Sequence, residues 1–165
     1  MSETTRTQIL ARKRLLAVAI AGCFASAPAW ANPTGPQVVN GTASFAQAGK
    51  LLTVTNTPGS IINWNSFSIA AGETTRFNQA SAASSVLNRV VANDPSVLLG
   101  TLSSNGKVWL VNPAGILVGQ GAKVDVGGFI ASTLNVRNED FLAGRLNFQA
   151  TPNAGKVENL SLIHI

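Results

Sequence analysis

After residue 32 the chain is a series of short apolar runs, rich in β-branched residues and broken every few positions by Gly, Asn or Pro. Leu51-Leu52-Thr53-Val54-Thr55, Ser60-Ile61-Ile62-Asn63-Trp64, Val97-Leu98-Leu99 and Val108-Trp109-Leu110-Val111 read as strands, because β-branched and aromatic side chains suit a pleated, half-buried surface. Between the first two, Asn56-Thr57-Pro58-Gly59 predicts a turn. Proline presets φ there, and glycine accepts the left-handed position that a type II turn needs. Helix signal is nearly absent. The one candidate, Ala80–Asn88, reads as a loop or a single turn entering another strand.

The stretch from Asn105 to Ala131 carries the most information. Turn residues at Asn105-Gly106, Pro113-Ala114-Gly115, Gly119-Gln120-Gly121 and Gly127-Gly128 separate Lys107–Val111, Ile116–Val118, Lys123–Val126 and Phe129–Ala131. Val108, Ile116 and Val124 recur every eight residues. Short strands with tight corners at this spacing fit a sandwich, a barrel or the coils of a β-solenoid. In a solenoid, asparagines at the corners would stack in hydrogen-bonded ladders.

The first 31 residues follow a different pattern. A basic segment holding Arg6, Arg12, Lys13 and Arg14 precedes the apolar run Leu15–Phe24, and small residues lead to Ala29-Trp30-Ala31. Ten apolar residues make about 15 Å of helix, half the thickness of a bilayer core, which is too short to span it. Positive charge, a short apolar core and an A-x-A end predict a secretory signal peptide over residues 1–31, recognised at Ala29 and Ala31 and cleaved after Ala31. Ile20-Ala21-Gly22-Cys23 also fits a lipoprotein processing box, which would anchor the chain through Cys23. The small, apolar residues that follow, without a polar tether, favour cleavage at Ala31.

Charge and composition then narrow the function. The chain carries 12 Lys+Arg against 7 Asp+Glu, a net charge of +5, but the leader holds most of the excess. A nucleic-acid partner therefore loses its main support. Past residue 31 there is no cysteine, so an exported domain of this length must be held by its core alone. No catalytic site is expected. The sole histidine, His164, sits near the end of the sequence, no Cys/His spacing suits a metal, and Glu139-Asp140 point to opposite faces if extended. Gly119-x-Gly121-x-Lys123 lacks the spacing and the following Ser/Thr of a phosphate loop. No cofactor is expected either. Trp64 and Trp109 read as packing residues; the contrary reading puts them on sugars, in a self-contained carbohydrate-binding adhesin module.

An ordered series of motifs resembles a known family. It comprises Ile62-Asn63-Trp64-Asn65-Ser66-Phe67-Ser68-Ile69, Phe77-Asn78-Gln79, Leu87-Asn88-Arg89-Val90, Pro95-Ser96, Gly100 and Asn105-Gly106. It continues with Val111-Asn112-Pro113-Ala114-Gly115-Ile116-Leu117-Val118-Gly119, Gly121-Ala122, Val124-Asp125-Val126-Gly127-Gly128, Ala131-Ser132-Thr133 and Asp140-Phe141. Together they resemble the N-terminal secretion domain of two-partner-secretion exoproteins, the group that includes filamentous haemagglutinin.

The resemblance implies an all-β fold, a right-handed parallel β-helix with extra N-terminal capping strands, over residues 32–165. It implies a secretion address recognised by a dedicated outer-membrane β-barrel transporter, after export by the Sec machinery, in a Gram-negative bacterium. The product would be secreted or held at the cell surface, reaching host cells through a passenger region beyond this sequence. Asn112, Pro113, Gly115 and Ile116 carry over as a motif for transporter recognition or for folding. Ala114 stands where the usual pattern has a second asparagine; were that position left-handed, alanine would cost about 1 kcal/mol there. The tail Leu160-Ser161-Leu162-Ile163-His164-Ile165 is apolar and uncharged, with no sign of a cap, so the domain reads as C-terminally incomplete and prone to aggregate by itself.

Overall fold

The computed structural model describes residues 31–161. Ala29, Cys23 and His164 lie outside the described residues, as does the rest of the leader apart from Ala31.

Three parallel sheets wind around one core. A first coil is made by β3 (Leu51–Asn56), β4 (Ser60–Trp64) and the segment through Ile69, and a second by β5 (Thr74–Gln79), β6 (Ser85–Val90) and β7 (Ser96–Leu98). The third follows as β8 (Thr101–Ser104), β9 (Lys107–Val111) and β10 (Ile116–Val118). The fourth consists of β11 (Lys123–Asp125), β12 (Gly128–Ser132) and, after an excursion, β15 (Val157–Asn159). Strands stack by side: β3, β5, β8 and β11 form one sheet, β4, β6, β9 and β12 the second, and β7, β10 and β15 the third, all in parallel register. Successive partners without the excursion lie about 20–27 residues apart, as in other solenoids. Crossovers of this kind are right-handed almost without exception.

The eight-residue spacing now has a physical meaning. Val108, Ile116 and Val124 occupy β9, β10 and β11, one inward position on each of three consecutive sides of the coil. Inward columns such as Leu52–Thr75–Leu102–Val124 and Ile62–Asn88–Leu110–Ala131 fill the interior. Thr57 to Ser60 forms the expected type II turn: Ser60 N donates to Thr57 O at 3.2 Å, and Gly59 has φ +73°. The corner amides Asn56, Gln79 and Asn105 occur in three successive coils, but they do not bond to one another side chain to side chain. Asn105 instead clasps the Gln79 backbone, accepting its N–H at 2.8 Å and donating to its carbonyl at 2.7 Å.

One end of the stack is closed. β1 (Gln37–Asn40) runs antiparallel on β4, and β2 (Ala43–Ala48) antiparallel on β3, so both edges of the first coil are covered. At the other end β11, β12 and β15 terminate their sheets, and among the described residues no strand covers their outer edges.

The excursion of the fourth coil differs from the sequence reading. Residues 133–156 form β13 (Asn135–Val136), the helix α1 (Asn138–Leu142) and β14 (Phe148–Gln149), with β13 and β14 paired antiparallel. Glu139 and Asp140 are thus adjacent on a helical turn, not opposed on a strand, and Asp140 Oδ1 takes Arg145 Nε at 2.7 Å. The excursion covers the outer face of the second sheet, where Ile61, Leu87, Trp109 and Ile130 line up across four strands. Val136, Phe141 and Phe148 close over that column, with Trp109 edge-on to Phe141 (5.1 Å) and stacked on Phe148 (6.0 Å).

Arg89 fastens this second core. Its guanidinium donates to Asn135 Oδ1 (3.1 Å), Val136 O (2.7 Å) and Asn138 Oδ1 (3.1 Å). Burial lowers its pKa from the ordinary arginine value, a sign of the desolvation that these three acceptors offset. Arg89→Met is expected to destabilise the excursion by about 2–3 kcal/mol while leaving the coils folded. The check is Trp109 fluorescence with limited proteolysis: early cuts within 133–156 support the expectation, and cuts spread evenly over the chain contradict it.

Candidate functional site

The motif that begins at Asn112 forms the corner between β9 and β10. Asn112 is fully buried, and every polar group it has is engaged. Its backbone N–H donates to Ser132 O of the following coil at 2.9 Å. Its Nδ2 reaches back to the preceding coil, donating to Asp94 O and Ser96 Oγ, each at 2.9 Å. Its Oδ1 accepts the Ala114 N–H at 3.0 Å, and its carbonyl accepts the Gly115 N–H at 3.1 Å. One residue therefore ties three coils together, its backbone N–H reaching the following coil and its side chain the preceding one and its own turn, which requires a short amide with a donor and an acceptor at once.

Pro113 occupies the second position of that turn, where its fixed φ and missing donor are harmless. Among the described non-glycine residues only Asn153 has positive φ, so Ala114 is not left-handed. The turn is of type I, and the cost expected for alanine at 114 does not arise. Gly115, by contrast, has φ +127°, a conformation that a side chain would strain. Its carbonyl accepts the Ser96 N–H at 3.0 Å, and Ile116 N donates to Lys156 O at 2.9 Å before the Ile116 side chain enters the core. Asn112, Gly115 and Ile116 are buried, and only Pro113 and Ala114 are partly open to solvent. Ala114, Gly115 and Ile116 border an open groove of about 260 Å³ lined also by Pro95, Leu117, Lys156 and Glu158. Sequence reasoning did not find Asp94 and Ser96 as the partners of Asn112: they lie on another coil, and only the register of β7 against β10 brings them together.

The remaining surface offers little chemistry. A second open groove, of about 320 Å³, lies on the outer side of the first sheet between Arg76, Ser103 and Asp125. Trp64 is wholly buried and Trp109 is 6% exposed, so neither presents a ring to a sugar. The carbohydrate-binding reading loses its platform.

Comparison with known proteins gives one consistent answer. A family model described as the TPS secretion domain matches residues 29–163. A heme/hemopexin-binding protein of Haemophilus influenzae strain Rd is 39% identical over 102 residues, covering 61% of this chain and 11% of that protein. A second heme/hemopexin-binding protein from Haemophilus influenzae is 31% identical over 121 residues, 72% of this chain and 13% of the relative. The chain thus spans roughly a tenth of the length of the curated relatives it matches. Among solved structures, the crystal structure of the HMW1 secretion domain from Haemophilus influenzae superimposes with a TM-score of 0.77 at 39% identity, covering 80% of this chain and 36% of that one. Stacked parallel coils, a capped N-terminal end and a matching family model over all of the described residues lead to one conclusion: the chain belongs to the TPS secretion domain family.

Proposed function

We propose that this domain is the address by which a much longer polypeptide is taken to a cognate outer-membrane transporter, and the template on which that polypeptide folds once outside. A signal peptide ending at Ala31 brings the chain through the Sec machinery, and the transporter's periplasmic modules receive it unfolded. The observation that carries the template role is the asymmetry of the stack. The N-terminal edges of two sheets are covered by antiparallel β1 and β2, whereas β11, β12 and β15 leave parallel edges uncovered among the described residues. Growth by further parallel coils is favoured at one end only. Absence of cysteine after residue 31 suits passage through an oxidising periplasm without crosslinking.

The test is export of a reporter fused after residue 161, in cells with and without the transporter. Transporter-dependent appearance outside the cell is expected. Export that persists without the transporter, or without residues 32–161, overturns the proposal.

Within this reading the Asn112 motif acts chiefly through folding. Asn112→Ala removes three side-chain hydrogen bonds and leaves Ser96 Oγ and the Asp94 carbonyl short of a donor, an expected loss of about 2–4 kcal/mol. Binding of the urea-unfolded variant to the transporter's periplasmic modules, on dilution, is expected to match wild type within about twofold (under 0.5 kcal/mol). A stable variant that no longer binds would instead make Asn112 a contact residue.

A further inference from the structure

We infer that the α-ammonium of Asn32, created when the leader is removed after Ala31, is the counter-ion of the buried Glu73 carboxylate, so that cleavage completes the N-terminal cap. The inference rests on the cleavage position proposed above. Glu73 immediately precedes β5 and is 4% exposed. Both of its carboxylate oxygens accept the Ala31 N–H, at 3.2 Å each, and Oε2 also accepts the Ala70 N–H at 3.1 Å. Among the described residues the one ion pair is Arg145–Asp140, so no lysine or arginine neutralises this carboxylate. Lys50, which runs alongside, gives its backbone carbonyl to the site and keeps its side chain exposed. A charged carboxylate this deeply buried, held by neutral N–H groups alone, is costly and calls for a cation.

The chain supplies one at the right place. Asn32 is itself 4% exposed and is held independently of Ala31: its Nδ2 donates to Lys50 O at 3.3 Å, and its Oδ1 accepts Thr75 Oγ1 at 3.1 Å. Its backbone nitrogen belongs to the residue next to the one whose nitrogen reaches Glu73 in the unprocessed chain, and consecutive Cα atoms are about 3.8 Å apart. Cleavage after Ala31 turns that nitrogen into an ammonium with three donors. The precursor can offer only an uncharged N–H there. The cap of the first coil thus differs between precursor and processed chain in one buried charge.

The experiment uses the chain exported from cells that carry its transporter. Intact mass and N-terminal sequencing first fix the terminus; then the α-amine is acylated competitively in native buffer and in urea. A chain beginning at Asn32 whose amine reacts about tenfold or more slowly in native buffer, with Glu73→Gln restoring the fast rate, is the expected result, since an opposite charge holds the amine protonated. Should Glu73→Gln fail to fold, the pH dependence of acylation of the processed chain decides: an amine pKa raised above that in urea supports the pair, and one that is not raised overturns it. An Asn32 terminus that reacts equally fast in both media overturns the ion pair alone and leaves the cleavage site standing. A terminus elsewhere overturns both.

Discussion

Replacing Trp64 by alanine is expected to abolish the cooperative urea transition of the secretion domain at 25 °C. The indole is wholly buried at the end of β4, edge-on to Phe45 and Phe67 at 5.6 Å each. Phe45 belongs to the capping strand β2 and Phe67 to the third side of the first coil, so one ring joins the cap to two sides of the stack. Truncating a buried Trp costs about 3–5 kcal/mol. Here the indole N–H also donates to Asn88 Oδ1 at 2.9 Å, within the core. Orphaning that acceptor adds about 1–3 kcal/mol. The sum approaches the whole stability of an ordinary domain, about 5–15 kcal/mol. Far-UV circular dichroism against urea reads the result, and a transition within about 1 kcal/mol of wild type would refute the assignment. Trp64→Phe separates the two contributions. It keeps an aromatic ring and loses the donor, and pairing it with Asn88→Leu should recover part of its loss.

Gly100→Ala is expected to be nearly as damaging, although it adds a single methyl group. A Cβ at Gly100 would lie 2.3 Å from Ala70 O, 2.4 Å from Glu73 O and 2.7 Å from Ile69 Cγ2. Two of those atoms are backbone oxygens already committed: Ala70 O to Glu73 N at 3.0 Å, and Glu73 O to Thr101 N at 2.9 Å. Neither can withdraw without opening the junction of the first, second and third coils. We expect a loss of about 3 kcal/mol or more, at the upper end for overpacking. Gly121→Ala is the control. Its φ is +84° but nothing lies within 4 Å of the added carbon, so only the conformational cost of about 1–2 kcal/mol applies. Equal melting of the two variants would show that steric contact across the coil is not what position 100 requires.

Much of the coil was legible in the sequence because each strand is short, apolar and bounded by a turn. Lys107–Val111 and Ile116–Val118 are the strands expected, and β12 is Phe129–Ala131 extended by one residue at each end. The pattern alone left sandwich, barrel and solenoid open, because a spacing of eight records inward positions without recording which strands pair. Strand pairing is a long-range property, and the extended family resemblance supplied it. Trp109 and Phe141 illustrate what stayed hidden. An apolar residue facing outward from a strand looks like any other member of an apolar run, and only a docked helix reveals a second core. The helix at Glu139-Asp140 also left no signal: α1 has five residues, too few for a periodic pattern, and tertiary packing against Trp109 holds it. Asn112 was found as a turn residue, while its bonds to Asp94 and Ser96 belong to the stacking of coils and leave no trace in local sequence.

The coil dimensions carry a consequence for a chain emerging through a pore. Some 22 residues stretched out span about 75 Å, yet once wound they advance the axis only by one strand spacing, about 4.8 Å. Each turn that closes therefore swallows roughly fifteen times its own height in thread. Folding cannot advance residue by residue either: one whole side of the coil must be paid out before its strand can pair with the same side of the preceding coil, so the stack lengthens in steps of about a third of a turn, with a slack loop between them.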